Sequence, residues 1–356
     1  MKSKKIFVSL TLVFSMIVML LPYNANACVM TKNTKGLNDS SDNSDAVLAY
    51  YDVKTQKETL FTEKDLQDTI SRAKKVRNVG TQTEPKEATV PQTIQKMAEE
   101  EMRQFEEARQ NTIEYYGETA NNLRVVDNRT LVSNPQGGPY YSLAKLFYTK
   151  KTNAAGTTSS SYIASGFAVG KNLCATARHC LTDNYGNWAS DFKAYYGYDR
   201  GTYCDLLTNV SAYIYYPQYI TGKNADGTIE VDSNYDIAFV VWGERTVEET
   251  GCLGMSSEIS NGMNLISAGY PGDLDGGERM YQSIGNVTSF TNLRMNCDNI
   301  YCHPGQSGSA YYDTDLFAHG VMTHTRVSGT GEVIGDSSGR RFDSTLIEWL
   351  ISGGYV

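Results

Sequence analysis

The sequence carries little that would serve a metal ion or a polyanion. Its four histidines are scattered, and the spacings among its seven cysteines are not those of a zinc site. No structural metal and no cofactor are expected. Basic side chains are in the minority, 32 Lys and Arg against 40 Asp and Glu, so there is no basic footprint for nucleic acid. Long apolar runs are missing too, except for one at the N-terminus. No segment repeats at the periods of solenoids or propellers.

That single apolar run, residues 6–21, follows Lys2, Lys4 and Lys5 and leads to Ala25-Asn26-Ala27. A charged start, an apolar middle and small residues at the cleavage positions read as a secretory signal over residues 1–27. The run is shorter than the roughly 20 residues a spanning helix needs. Cys28 follows at once, but Ala25 stands where a lipid-modified N-terminus usually has Leu. The mature form is therefore expected outside the cell and off the membrane. An oxidising compartment favours disulfides, with Cys297–Cys302 and Cys180–Cys204 as local pairings among many.

Composition shifts near residue 124. Residues 28–124 are rich in charge and poor in aromatics and read as a mostly helical or disordered pro-segment. The stretch 84–118 fits a helix starting near Pro91, with a loose stripe of Ile94, Met97 and Phe105. Beyond it, Tyr, Thr, Val, Ser, Asn and Gly dominate. Short β-like runs recur at 144–148, 163–169, 210–216, 237–241, 263–269 and 316–323, separated by turn signals. The expected class is all-β, a sandwich or barrel, over residues 125–356. The chain should close with one helix. Thr345 to Glu348 forms a capping-box pattern, and Gly353-Gly354 ends the stripe of Leu346, Ile347, Leu350 and Ile351.

Acyl transfer by a serine needs a hydroxyl, an imidazole to take its proton, a carboxylate to hold the imidazole, and N–H groups facing the oxyanion. Ser307 lies in Gly305-Gln306-Ser307-Gly308-Ser309, where glycine can turn successive N–H groups into one concavity. Gly305 and Ser307 are the candidate oxyanion donors. His179 ends a small-residue turn after an apolar strand. Asp236 directly precedes the apolar strand 237–241, and a carboxylate drawn inward needs a partner; Asp232 is a nearby competitor. Each motif alone has an ordinary reading: a solvent turn, a half-buried histidine, a strand-entry cap. Together, in the order His, Asp, Ser, they fit the chymotrypsin pattern and neither subtilisin nor the α/β-hydrolases. His319 reads as structural.

The segments Ile163 to Gly170, Ala177-Arg178-His179, Asn234-Tyr235-Asp236, Gly269-Tyr270-Pro271-Gly272 and Gly305 to Ser309 resemble the bacterial glutamyl endopeptidases, secreted members of the chymotrypsin-like superfamily. The likeness covers roughly residues 125–352. It implies a chymotrypsin-like double β-barrel of six strands each, divided near 245–255, with the triad in the cleft between the barrels. It implies a monomeric zymogen cut near Arg124–Val125, with the freed Val125 amine beside the substrate pocket. It also implies protein or peptide substrates cleaved after Glu, and perhaps Asp, with His324 reading the carboxylate. Cys302 stands where the family carries a hydroxyl residue, which leaves His303 or Arg326 as substitute donors. Other specificities, or a non-catalytic binding module on the same fold, remain the alternatives.

Overall fold

The computed structural model describes residues 45–74, 82–86, 95–116, 127–170, 172–243, 251–327 and 333–356. The expected signal, Cys28, Arg124 and Val125 lie outside them, as do the side chains of residues 326–327 and 333–336, Arg326 among them.

Every β-like run of the sequence is a strand. In chain order the long ones are β1 (Ala46–Asp52), β2 (Lys57–Thr62), β3 (Leu143–Lys151), β4 (Ser159–Gly170), β5 (Leu173–Thr176), β6 (Ser190–Tyr196), β7 (Val210–Tyr215) and β8 (Ala238–Trp242). They continue as β9 (Asn264–Gly269), β10 (Tyr281–Phe290), β11 (Arg294–Asp298), β12 (Ala310–Tyr312), β13 (Phe317–Val327) and β14 (Val333–Arg341). Among the described residues they are accompanied by α1 (Glu63–Lys74), α2 (Glu99–Tyr116), a single turn α3 (Arg178–Leu181) and α4 (Ser344–Ser352).

Strands β9 to β14 close into a six-stranded antiparallel barrel, in the order β13-β12-β9-β10-β11-β14, with β14 pairing back onto β13. Strands β3 to β8 form the other half along the path β6-β3-β4-β5-β8-β7. Among the described residues no ladder joins β6 to β7. Each open side instead takes a further strand: Asp205–Leu207 beside β6, and β1 with β2 beside β7. The fold is chymotrypsin-like, with one barrel closed and the other extended. The expected division near 245–255 falls between β8 and β9, partly in residues 244–250 outside the described set.

The described residues before 125 carry more helix than strand, as expected. Helices α1 and α2 are there, but β1 and β2 form a hairpin within the first sheet, which the low aromatic content did not announce. Tyr50 and Tyr51 sit opposite Ile214 and Tyr213. Helix α2 begins at Glu99 rather than near Pro91. Three glutamates fill its first turn, where the helix dipole favours negative charge.

Helix α4 is where it was predicted, but its cap is Asp343, whose Oδ1 accepts the N–H of Leu346 at 2.8 Å. Thr345 already lies inside the first turn. The buried side chains of α4 are Leu346, Ile347, Trp349 and Leu350, so its apolar stripe faces the core as the pattern required.

Neither local disulfide forms. Cys180, Cys204 and Cys302 are free, buried thiols. Cys180 packs beside His179, whereas Cys204 lies against Gly197. Cys302 carries its thiol near Thr325. Proximity along the chain did not bring these sulfurs together.

Candidate active site

His179 sits in α3, one turn that follows β5. Its residue is gripped at three points. Asp236 accepts the His179 backbone N–H at 2.9 Å with Oδ1 and meets Nδ1 of the ring at 2.8 Å with Oδ2. The buried Lys150 donates its ammonium to the His179 carbonyl at 2.7 Å. Asp236 is only 1% exposed. It ends the short turn Ser233–Tyr235, while Asp232 caps that turn by accepting the N–H of Asn234. Asp232 is therefore a capping residue and the competition is decided for Asp236.

The electrostatics follow from this burial. Removal from water would raise the Asp236 carboxyl, but the His179 imidazole and N–H more than offset it and bring it down to about 2. Burial likewise disfavours charge on His179, yet the adjacent Asp236 carboxylate wins and the imidazolium is held above its ordinary value. Burial lowers the Lys150 ammonium to about 8.

Ser307 lies in the same cleft, of about 390 Å³, whose walls also carry His179, Asp236, Cys302, His303 and His324. The loop that presents it requires glycine twice. Gly305 has φ +100° and Gly308 φ +89°. A Cβ would sit 2.3 Å from the Tyr270 carbonyl oxygen at the first and 2.1 Å from the Ser165 carbonyl oxygen at the second. The N–H groups of Gln306, Gly308 and Ser309 are taken by the carbonyls of His303, Met322 and Gln306. Those of Gly305 and Ser307 meet no acceptor among the described residues, as a pair of oxyanion donors should.

Ser165 was not singled out from sequence, and it holds this loop to β4. Its N–H donates to the Ser307 carbonyl at 2.8 Å, and its Oγ donates to the Gly305 carbonyl at 2.8 Å and accepts from Tyr270 N at 3.0 Å. Lys150 was missed as well. A serine and a lysine in strands carry no local signal, because their partners are more than 25 residues away.

The pocket side chains gather partly as expected. The His324 ring centroid lies 6.3 Å from that of His179. Its Nδ1 is 2.7 Å from Thr323 Oγ1, and Thr325 Oγ1 donates to the Cys302 carbonyl at 2.8 Å. Thr323, His324 and Thr325 all line the cleft, although strand alternation would part them. Register shifts at Met322/His324 and Thr325/Val327 account for this. His324 stands exposed at the cleft wall, and partial desolvation, with His179 and Arg294 nearby, outweighs the Asp236 carboxylate and lowers its pKa, so the ring is neutral near pH 7. His303 also lines the cleft, with Nδ1 3.2 Å from Asp273 Oδ1. His319 is structural: its two ring nitrogens meet the Glu258 carbonyl and Asp313. No group of His, Cys, Asp and Glu among the described residues is placed to hold a metal.

Arg129 ties the start of the β-rich region to the Gly305–Ser309 loop. It pairs with Asp127 at 2.7 Å and Asp273 at 2.5 Å, reaches Gln306 Oε1 at 3.4 Å, and lies 4.3 Å from the Tyr301 ring centroid.

No protein-family model and no curated protein matches the sequence. Among solved structures, the chain is similar to a Glu endopeptidase determined in complex with MPD, at 20% identity over 64% of this chain and 97% of that one, TM-score 0.47. It is similar to the protease Anisep from Arthrobacter nicotinovorans at 18% identity over 64% and 100%, TM-score 0.45. It is also similar to the thermostable serine protease AL20 from an extremophilic microorganism, at 18% over 60% and 95%, TM-score 0.42. Likeness at this level does not decide chemistry, which rests on the geometry of His179, Asp236 and Ser307.

Proposed function

We propose that the chain is a secreted serine endopeptidase, made as a zymogen, that cleaves protein or peptide substrates after Glu. One observation carries the reaction class. Asp236 holds His179 by both Nδ1 and backbone N–H in the cleft that also presents Ser307 and two N–H groups with no acceptor among the described residues. In this reading Ser307 Oγ attacks the substrate carbonyl and Nε2 of His179 takes its proton. Asp236 keeps Nδ1 protonated and offsets the charge of the imidazolium. The N–H groups of Gly305 and Ser307 receive the oxyanion. The imidazolium then protonates the leaving amine, and water repeats the sequence on the acyl-enzyme.

Ser307→Ala should leave the fold intact and lower kcat by several orders of magnitude, on the order of 10⁶-fold when the triad acts as a unit. Turnover equal to the unmodified chain would end the assignment. Failure of Ser307 to react with a phosphonylating probe in the matured protein would point to a binding module instead.

The preference for Glu rests on His324. A neutral imidazole at the cleft can donate a hydrogen bond to a carboxylate and gains from its negative charge. Thr323 and Thr325 add hydroxyls to the same wall, where Cys302 has a thiol in place of one. Profiling on a peptide library should show cleavage after Glu, and His324→Ala should lose that preference by at least about tenfold in kcat/KM. Cleavage mainly after Lys, Arg or large apolar residues would refute it.

Maturation by a cut near Arg124–Val125 is supported by Arg129. It anchors the chain four residues further on to Asp273 and to Gln306, the neighbour of the nucleophile.

A further inference from the structure

We propose that the hairpin β1–β2 remains part of the working enzyme, where it positions His179 by completing the aromatic socket that holds Arg178. The inference rests on the serine-protease reading for its catalytic arm only; the docking of residues 46–116 stands without it.

The segment is built into the domain. Strand β1 adds to the edge of β7 by backbone pairing, and the Val53 N–H continues the ladder to the Ser211 carbonyl at 3.0 Å. Leu48, Ala49, Leu66, Ile70, Phe105 and Ala108 are all 4% exposed or less and belong to the same core as the first sheet. Phe61 meets Trp349 of α4 edge-on at 5.3 Å. Helix α2 covers the early part of the β4 edge whose later residues pair with β5: Thr112 Oγ1 accepts the Ile163 N–H at 2.8 Å, and Asn111 Nδ2 donates to the Ser161 carbonyl at 2.9 Å. Phe105 lies 3.9 Å under the buried ammonium of Lys145. Removing this segment would open an apolar sheet edge and the underside of α4 together, which a folded domain resists. Among the described residues, the cleft is lined by residues 150–325 and none of 46–116.

A direct line of contacts then runs from the hairpin to the catalytic histidine. Arg178 precedes His179 and is 3% exposed. Its guanidinium lies 4.1 Å from the Trp188 ring centroid and 4.5 Å from that of Tyr215. Trp188 is stacked by Tyr213 at 4.6 Å and by Tyr51 of β1 at 5.0 Å. Glu58, opposite Tyr51 in the hairpin, supplies negative charge toward the same guanidinium. A buried cation held on aromatic faces keeps its place only while those faces stay packed. The α3 turn that carries both Arg178 and His179 is one turn long and has no side-chain cap of its own. Its orientation is therefore set by this socket together with Asp236 and Lys150.

Two measurements test the proposal. In the full chain carrying Ser307→Ala and a specific protease site inserted within residues 117–126, cutting at that site should leave both pieces together. Size exclusion and native mass spectrometry would then show a one-to-one complex. Separation without denaturant would overturn it. In the chain cut near Arg124–Val125, with Ser307 intact, Tyr51→Ala should lower kcat by on the order of tenfold to a hundredfold with KM nearly unchanged, as a small misplacement of a catalytic group does. It should also lower the imidazole pKa of His179, read by NMR in the Ser307→Ala background, by loosening its contact with Asp236. Tyr51→Phe should restore both, and Glu58→Gln should show the same shift in smaller degree. A Tyr51→Ala protein that is merely less heat-stable, with kcat and the His179 titration unchanged, would overturn the positioning role. If Ser307 proved not to be a nucleophile, the co-elution and the NMR titration would still decide the matter.

Discussion

Asp236 shows how one carboxylate can do two jobs from a buried place. It fixes the backbone and the ring of His179 with its two oxygens, and its charge raises the imidazole pKa against the effect of burial. The base must be neutral to accept the Ser307 proton, so a raised pKa means that kcat/KM climbs as pH rises through it. Asp236→Asn removes the opposing charge, so the acid limb of the pH profile should move to lower pH. The plateau should fall by on the order of 10⁴-fold, because the amide no longer enforces the tautomer. A profile whose acid limb stays in place would mean that another group sets it. The two oxyanion donors are a related case. A Gly-Gln-Ser-Gly-Ser motif is common in turns; what makes it a site is that Gly305 and Gly308 occupy positive φ against the backbone of Tyr270 and Ser165.

Among the elements, β4 does most to join the two halves of the site. Its later residues pair with β5, while its earlier edge is divided between α2 and the nucleophile loop. Ile163 donates to Thr112, and Ser165 donates to the Ser307 carbonyl. The short β-like run 163–169 is β4, and residues 162–170 are buried on both faces, which is why it reads as a run without alternation. The helix on its edge was legible as a helix, but its stripe was too loose to say where it packed. Phe105 supplies the answer. It is 1% exposed and meets Phe147, Tyr195 and Tyr198 at centroid distances of 5.3, 5.0 and 5.4 Å. Phe105→Ala should destabilise the full chain by about 3–5 kcal/mol, read from the denaturant midpoint. A solvated pro-segment would give a change near zero.

For the molecule as a whole, maturation near Arg124–Val125 and the docked N-terminal segment are compatible, because cutting a chain does not dissolve the packing on either side of the cut. The full-length Arg124→Gln protein should stay uncut near that position and be weakly active compared with the cleaved form. Full activity with no cleavage nearby would remove the zymogen proposal. Charge and low aromatic content did not reveal this packing, in which Leu48, Leu66, Ile70 and Phe105 are among the apolar side chains that face the core.

The all-β class and the closing helix could be read from the chain because each is a local pattern of short β-like runs between turns or of a helical stripe, and His179, Asp236 and Ser307 were nominated from their order and a glycine pair or an acid before an apolar strand. The hairpin β1–β2, the grip of Lys150 and Ser165, the thiol state of Cys180 and Cys302, and the Thr323–Thr325 wall were settled only by the fold. Each depends on a partner far away in sequence. Side-chain type constrains what a residue can do, while the free energy of burial and long-range pairing selects its neighbour.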